Sequence, residues 1–378
     1  MLSILCLLSS CVERFYPEVD KYDGLLVVEG KITNEPGPYT IRLNRSIGVY
    51  DFQKDYLPEI NASVHILDDL GNSFQLSEIE AGVYQNLASG LQGIPGRSYK
   101  LIIDLENGET YETPFEKMKE PTSIESVDAR IEYKYFLDED AEIPGYQFYI
   151  SGGPAPNEKN YYLWQCEATY QYRSDFSIFY IFEGFIDEFP NPDSLATCWR
   201  TFPVKEIFTL STANFADPKF NQVPFLFQRV DDKVVSIRYS LLTKQYSINE
   251  TAYTFWNSIK NQIANTSSLY NTQPYQIRGN IFNIADEEEP VLGYFLVASV
   301  AENRTFVDKP TDPDIELSKC VIDPMALPYA LMLPPSEWPI YITEVNGFLG
   351  VTGVSPNDGC LDCREIGGTI VKPGFWVD

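Results

Sequence analysis

Leu25-Leu26-Val27-Val28-Glu29-Gly30-Lys31-Ile32-Thr33, Asn34-Glu35-Pro36-Gly37-Pro38 and Tyr39-Thr40-Ile41-Arg42-Leu43 follow one another near the start of the chain. The first run is apolar and β-branched, the second holds the residues that turn a backbone, and the third alternates apolar with polar. That is a strand, a tight turn and a returning strand. The same grammar continues outward. Val64, Ile66 and Leu70 precede a turn at Gly71-Asn72. Tyr99-Lys100-Leu101-Ile102-Ile103-Asp104-Leu105 alternates cleanly, Asn107-Gly108 is a strong hairpin signal, and Thr110-Tyr111-Glu112-Thr113 returns. Short strands with frequent turns predict an immunoglobulin-like β-sandwich over residues 24–118.

A second, larger β-rich domain is expected over 124–378. Ile131, Tyr133 and Tyr135 alternate, as do Tyr146, Phe148 and Ile150, and Tyr161 to Cys166 reads as a further strand. Gln276 to Ile281 and Val291 to Val300 add two more, with an acidic turn at Asp286 to Pro290 between them. One amphipathic helix is predicted over 248–264. Ser247 with Glu250 makes a capping box, and Ala252, Phe255, Trp256, Ile259 and Ile263 recur at helical spacing. The fold class is therefore mainly β, ending in a Cys/Gly/Pro-rich tail. Composition agrees: aromatics are 14% of the 378 residues, with 25 Tyr, 23 Phe and 26 Pro, which favours sheet and turn over helix.

The formal net charge of −26 repels phosphate backbones, so nucleic acid is not an expected partner, and it rules out a basic patch as the means of membrane attachment. Attachment is expected from the start of the chain instead. Met1 to Ser10 carry no charge and form an apolar stretch too short to span a bilayer. It ends in Leu8-Ser9-Ser10-Cys11, which resembles the bacterial lipobox. The reading is a signal peptide over 1–10, lipidation on Cys11 and a polar tether over 11–23. No other segment reaches the roughly 18 apolar residues that a spanning helix needs.

An exported chain meets an oxidising compartment, so disulfides are the default for Cys166, Cys198, Cys320, Cys360 and Cys363. Cys166 and Cys198 can pair across a hairpin. Cys360-Leu-Asp-Cys363 can close on itself, or one member can pair with Cys320, and the odd count leaves one thiol over. Zinc would need further ligands that a lone CxxC does not supply, and a redox CxxC would open a helix.

Most catalysis is disfavoured. His65 is the sole histidine; it sits in a strand between Val64 and Ile66 and reads as solvent-facing, and no G-x-S-x-G elbow supplies a nucleophile. Gly90 to Ser98 fails as a phosphate loop in spacing, in having Arg97 for Lys, and in leading to a strand. Asp138-Glu139-Asp140 and Glu287-Glu288-Glu289 lack a calcium-loop pattern and read as solvated turns. With 54 acidic residues, no carboxylate pair stands out as a glycosidase couple. Trp164, Trp199 and Trp338 can stack on sugars or peptides, though core packing is the commoner role. No catalytic residue, cofactor or metal ligand is expected.

The Leu8-Ser9-Ser10-Cys11 start, Val27-Val28-Glu29-Gly30, Tyr253-x-Phe255-Trp256, Gly279-Asn280-Ile281, Gly293-Tyr294-Phe295, Cys360-x-x-Cys363, Gly367-Gly368 and Lys372-Pro373-x-Phe375-Trp376 occur in that order. In this the chain resembles the DUF4249 family of Bacteroidota outer-membrane lipoproteins. The resemblance implies a non-enzymatic accessory, lid or binding subunit beside an outer-membrane β-barrel such as a TonB-dependent receptor, in nutrient or metal uptake. A structural subunit of an outer-membrane assembly or secretion complex is the alternative. Glu13, Glu18, Asp20 and Asp23 are similar to an acidic surface-export signal, which favours the cell-surface face over the periplasmic one.

Overall fold

The computed structural model describes residues 24–47, 57–87, 90–153, 160–230, 233–266, 276–311, 315, 319–321, 323–326, 331–338, 340–346, 351–354 and 358–377. The expected signal peptide, Cys11 and the tether up to residue 23 lie outside them.

The opening stretch folds as β1 (Leu26–Thr33) and β2 (Thr40–Arg45). Then come β3 (Leu57–Pro58), β4 (Ser63–Asp68), β5 (Ser73–Glu80), β6 (Val83–Gln85), β7 (Ser98–Asp104), β8 (Thr110–Glu112) and β9 (Glu116–Lys117). Side-chain alternation decides which face each strand buries. Leu26, Val28 and Ile32 of β1, Val64 and Ile66 of β4, and Tyr99, Leu101 and Ile103 of β7 meet in one core. His65 takes the outer face of β4, within hydrogen-bond distance of Ser63 and Ser73. Leu70 misses the alternation: it lies in the turn after β4 and is 72% exposed. The Asn107-Gly108 turn forms as expected, with Gly108 at φ +90° and its N–H on the Leu105 carbonyl.

The second region contributes β10 (Ile124–Phe136), β11 (Ala141–Gly152), β12 (Tyr161–Arg173), β13 (Tyr180–Phe182), β14 (Ile186–Glu188), β15 (Thr197–Pro203), β16 (Phe208–Ser211), β17 (Phe220–Arg229), β18 (Arg238–Ile248), α1 (Glu250–Thr266), β19 (Phe282–Asn283) and β20 (Leu292–Asp308). The protein is thus mainly β with one α-helix among the described residues. The helix starts later than its sequence signal. Ser247 is still in β18, and its hydroxyl is buried against Thr122. Asn249 caps instead, its side-chain oxygen accepting the Ala252 N–H at 2.7 Å.

Two features depart from a separate immunoglobulin sandwich. That fold expects two facing sheets, whereas the pairing runs as one path, β15-β12-β18-β20-β1-β2-β6-β5-β4-β7-β8-β19. The path also crosses the expected 118–124 boundary. The first half of β20 pairs in parallel with β1, Val27 to Thr33 against Leu292 to Ala298, and its second half pairs antiparallel with β18. β20 is long enough to be a shared spine, and no sequence period announces such a long-range parallel pairing. A smaller sheet, β10-β11-β17, packs on the β12–β18 face around Phe148, Trp164 and Tyr239.

The parallel joint explains two glycine motifs. Gly293 has φ +91°, and a Cβ there would lie 1.9 Å from the Val28 carbonyl oxygen. A Cβ on Gly279 would lie 1.7 Å from the Gly293 oxygen. This close approach lets Asn280 act as a strand partner in side-chain form. Its Oδ1 accepts the Phe295 N–H at 2.9 Å, and its Nδ2 donates to the Phe295 carbonyl at 2.8 Å and to Glu116 at 3.0 Å. The Glu116 carboxyl is buried here and also receives the Tyr294 hydroxyl at 2.9 Å. Burial raises its pKa above the carboxylate range, against the hydrogen bonds from Asn280, Tyr294 and Asn249.

The tail is pinned to β15. Cys198 bonds Cys363 and Cys320 bonds Cys360, leaving Cys166 as the buried free thiol. The CxxC therefore does not close on itself. Separate 3₁₀ turns at Asp358–Cys360 and Cys363–Ile366 send its sulfurs to different partners. Cys166 and Cys198 do not pair either, because the β12–β15 register sets Cys198 opposite Tyr172. Trp199 and Thr369 exchange backbone hydrogen bonds at 2.8 and 2.9 Å, and Trp376 packs edge-on against Trp199 and Phe306.

Candidate binding cleft

The strand alternation that buries Val28 and Ile32 on one face of β1 sends Glu29 and Lys31 to the other. Register then sets Lys31 beside Leu296, and Lys244 between Gln165 and Glu302. Helix α1 lies over part of this second face, where Phe255 packs with Tyr246, Tyr294 and Leu296. What α1 leaves open is a cleft of three adjoining hollows. The central hollow, about 570 Å³, has Lys31, Gln165, Lys244, Tyr246 and Trp256 among its walls. A second, about 380 Å³, shares Lys31, Gln165 and Trp256 and continues over Ile259 and Leu296. A third, about 500 Å³, shares Trp164 and the 205–207 segment with the first and reaches Phe225 and Lys260. Concavity, apolar walls and a few polar groups are what small-ligand sites have in common.

Two lysines on the floor differ in their company. Lys244 is neutralised by Glu35 at 2.6 Å, with Glu302 at 3.9 Å. Burial works to lower its pKa, but Glu35, Tyr246 and Glu302 outweigh burial and leave it raised. Lys31 has neutral company. β1 and β12 are three strand steps apart, about 14 Å in a flat sheet. Lys31 lies across that gap, donating to the Tyr246 hydroxyl at 2.8 Å and to Gln165 Oε1 at 3.2 Å. Its ammonium stands 4.9 Å from the Tyr246 ring centroid. No ion pair reaches Lys31 among the described residues. Burial, then the neighbouring Lys244 charge, lowers its pKa, with Glu35 and Glu29 opposing. The Trp256 indole N–H is buried with no hydrogen-bond acceptor. Cys166 also lines the central hollow, but burial pushes its thiol up to about 12, so it is not poised as a nucleophile.

Of the tryptophans singled out in the sequence, Trp164 lines the first and third hollows with its indole N–H on Gln245, whereas Trp199 packs under the tail and Trp338 on Phe182. Glu139 is tied bidentately to Arg229, and Glu289 accepts from Tyr111 and Asn283. Among the described residues no cluster of His, Cys, Asp or Glu has the makings of a metal site. Sequence reading missed Lys31, Gln165, Lys244 and Tyr246. The parity of β1 was the available signal for Lys31, since Val27, Glu29 and Lys31 share the face opposite the core. Trp256 was read as an apolar helix position and as part of the Tyr253-x-Phe255-Trp256 motif, not as a wall of a cleft.

No curated protein matches the chain. The sequence model of DUF4249, a domain of unknown function, matches residues 12–304, a span that holds β1, β12, β18, α1 and most of β20. The chain is therefore a member of the DUF4249 family.

Proposed function

We propose that the protein is a non-enzymatic binding subunit of the outer membrane, lipid-anchored through Cys11 and exposed on the cell surface, that serves as accessory or lid to a TonB-dependent transporter for a nutrient or a metal complex. The cleft between β1, β12, β18, β20 and α1 is the observation that carries this reading. It combines in one concavity an apolar wall and the Lys31 ammonium, which no ion pair reaches among the described residues. The two disulfides suit a chain that works outside the cytoplasm.

A structural role in an assembly or secretion complex is the second reading. Exposed Tyr133, Tyr135 and Leu137 at the β10–β11 hairpin, together with Phe179 and Phe185 beside β13, favour it, because protein contact would cover them. Native purification from outer membranes separates the two readings. The protein is denatured and the released small molecules are identified by mass spectrometry. The binding role expects a compound that is released from the wild type and absent from Gln165→Trp, in which the cleft is filled. A protein that releases nothing in either form favours the structural role.

A further inference from the structure

We propose that the cleft takes an organic carboxylate with an apolar body, its carboxylate on the Lys31 ammonium and its body against Trp256 and Ile259. This rests on reading the cleft as the binding site, and it names the class of ligand.

The argument is one of unmet hydrogen bonds and charge. An ammonium has three donors and no acceptor. Lys31 spends two of them, on the Tyr246 hydroxyl and on Gln165, and both partners are neutral. Lys31 is half-buried, and no ion pair reaches it among the described residues. Of the carboxylates around it, Glu35 is paired with Lys244 and Glu167 with Arg304, and neither Glu29 nor Glu206 forms an ion pair with Lys31 among the described residues. The Trp256 ring lines the same two hollows and gives them an apolar wall. A partly desolvated charge without a counter-charge is costly, so the Lys31 ammonium beside this cavity points to an anionic acceptor supplied from outside. A cation would meet Lys31 as like charge, and a neutral sugar would leave that charge uncompensated. An inorganic anion would leave the wall of Trp256, Ile259 and Leu296 uncovered. A carboxylate on an apolar body meets both demands, since a charge-assisted bond at one end is matched by apolar burial at the other.

The test uses the full-length chain in mild detergent, labelled with 5-fluorotryptophan. The five tryptophans give separable ¹⁹F signals, and Trp256→Phe identifies that of Trp256. 4-Phenylbutyrate and its neutral counterpart 4-phenylbutan-1-ol are titrated in parallel. Wild type is expected to bind the carboxylate roughly tenfold or more tightly than the alcohol, the worth of a hydrogen bond to a charged group. Gln165→Glu places a carboxylate on Lys31 at an exposed position that does not threaten the fold, and should bring the two affinities within about twofold. Lys31→Gln should do the same, while Lys31→Arg and the rim variant Lys205→Gln should keep the preference. Equal affinities in wild type overturn the carboxylate inference and leave the cleft standing as a binding surface. A preference that survives both Gln165→Glu and Lys31→Gln overturns the role of Lys31. If neither compound moves the Trp256 signal, the inference falls together with the cleft reading.

Discussion

Removing the Cys198–Cys363 bridge, as the double variant Cys198→Ala/Cys363→Ala, should be strongly destabilising. The bridge joins residues 165 apart in sequence. Loop-closure entropy for a loop of that length corresponds to about 5 kcal/mol at room temperature. The Cys320–Cys360 bridge, with a separation of 40, corresponds to about 4 kcal/mol by the same relation. The smaller loop is nested inside the larger, so the outer bridge keeps most of its own effect when the inner one is intact. Both Cys198 and Cys363 are fully buried, so alanine also leaves unfilled volume and adds to the loss. A domain's whole stability is on the order of 5–15 kcal/mol, so the outer variant should be marginal at best. Urea unfolding followed by tryptophan fluorescence measures this, because Trp199 and Trp376 flank the bridge. The tail should also become the first site of proteolysis, since Cys363, Thr369 and Trp376 together seat it on β15. The reasoning is refuted if the outer variant loses less than about 1 kcal/mol, or if the inner variant loses clearly more than the outer.

Three further outcomes are expected. Gly293→Ala should cost about 3 kcal/mol or more, because the new Cβ meets the Val28 oxygen at a positive φ, whereas Gly108→Ala, at nearly the same φ with open space around it, should cost only about 1–2 kcal/mol; paired thermal melts read the difference. Stability should fall as pH rises from the ordinary carboxylate range through the raised Glu116 value, because the folded chain holds that proton where the unfolded chain has released it; Glu116→Gln should remove this slope in pH-dependent urea titrations, and an unchanged slope would contradict the assignment. Asn249→Ala should destabilise by about 1 kcal/mol through the lost cap of α1, while Ser247→Ala should act through the buried Thr122 contact without fraying the helix, a distinction that amide exchange in the first turn resolves.

The strands were legible because they obey short-range rules. Val64/Ile66 and Tyr99/Leu101/Ile103 alternate as half-buried strands must, and Asn107-Gly108 announces its own hairpin. The helix was legible from Ala252, Phe255 and Trp256. Its start was displaced by two residues because Ser247 and Asn249 offer the same capping chemistry, and only burial of Ser247 against Thr122 decides between them. The sheet path was not legible. A parallel ladder between β1 and β20 closes a loop of most of the chain, and its sole local traces, Gly279, Asn280 and Gly293, acquire meaning once the strands are adjacent. The disulfide partners were hidden for the same reason, since spacing within CxxC says nothing of residues 40 or 165 positions away. The cleft was half legible. The parity of β1 places Lys31 on the non-core face, but its neutral neighbours Gln165 and Tyr246 come from strands far along the chain.

The central claim is that this DUF4249 member is a binding partner of an outer-membrane transporter. The most direct measurement is to isolate the tagged chain from outer membranes in mild detergent and to quantify by mass spectrometry what accompanies it. The account predicts a TonB-dependent receptor at a stoichiometry near one to one, retained in the wild type and lost from the membrane-bound fraction with Cys11→Ser. A barrel-assembly or secretion component in that position, with no receptor, would contradict it.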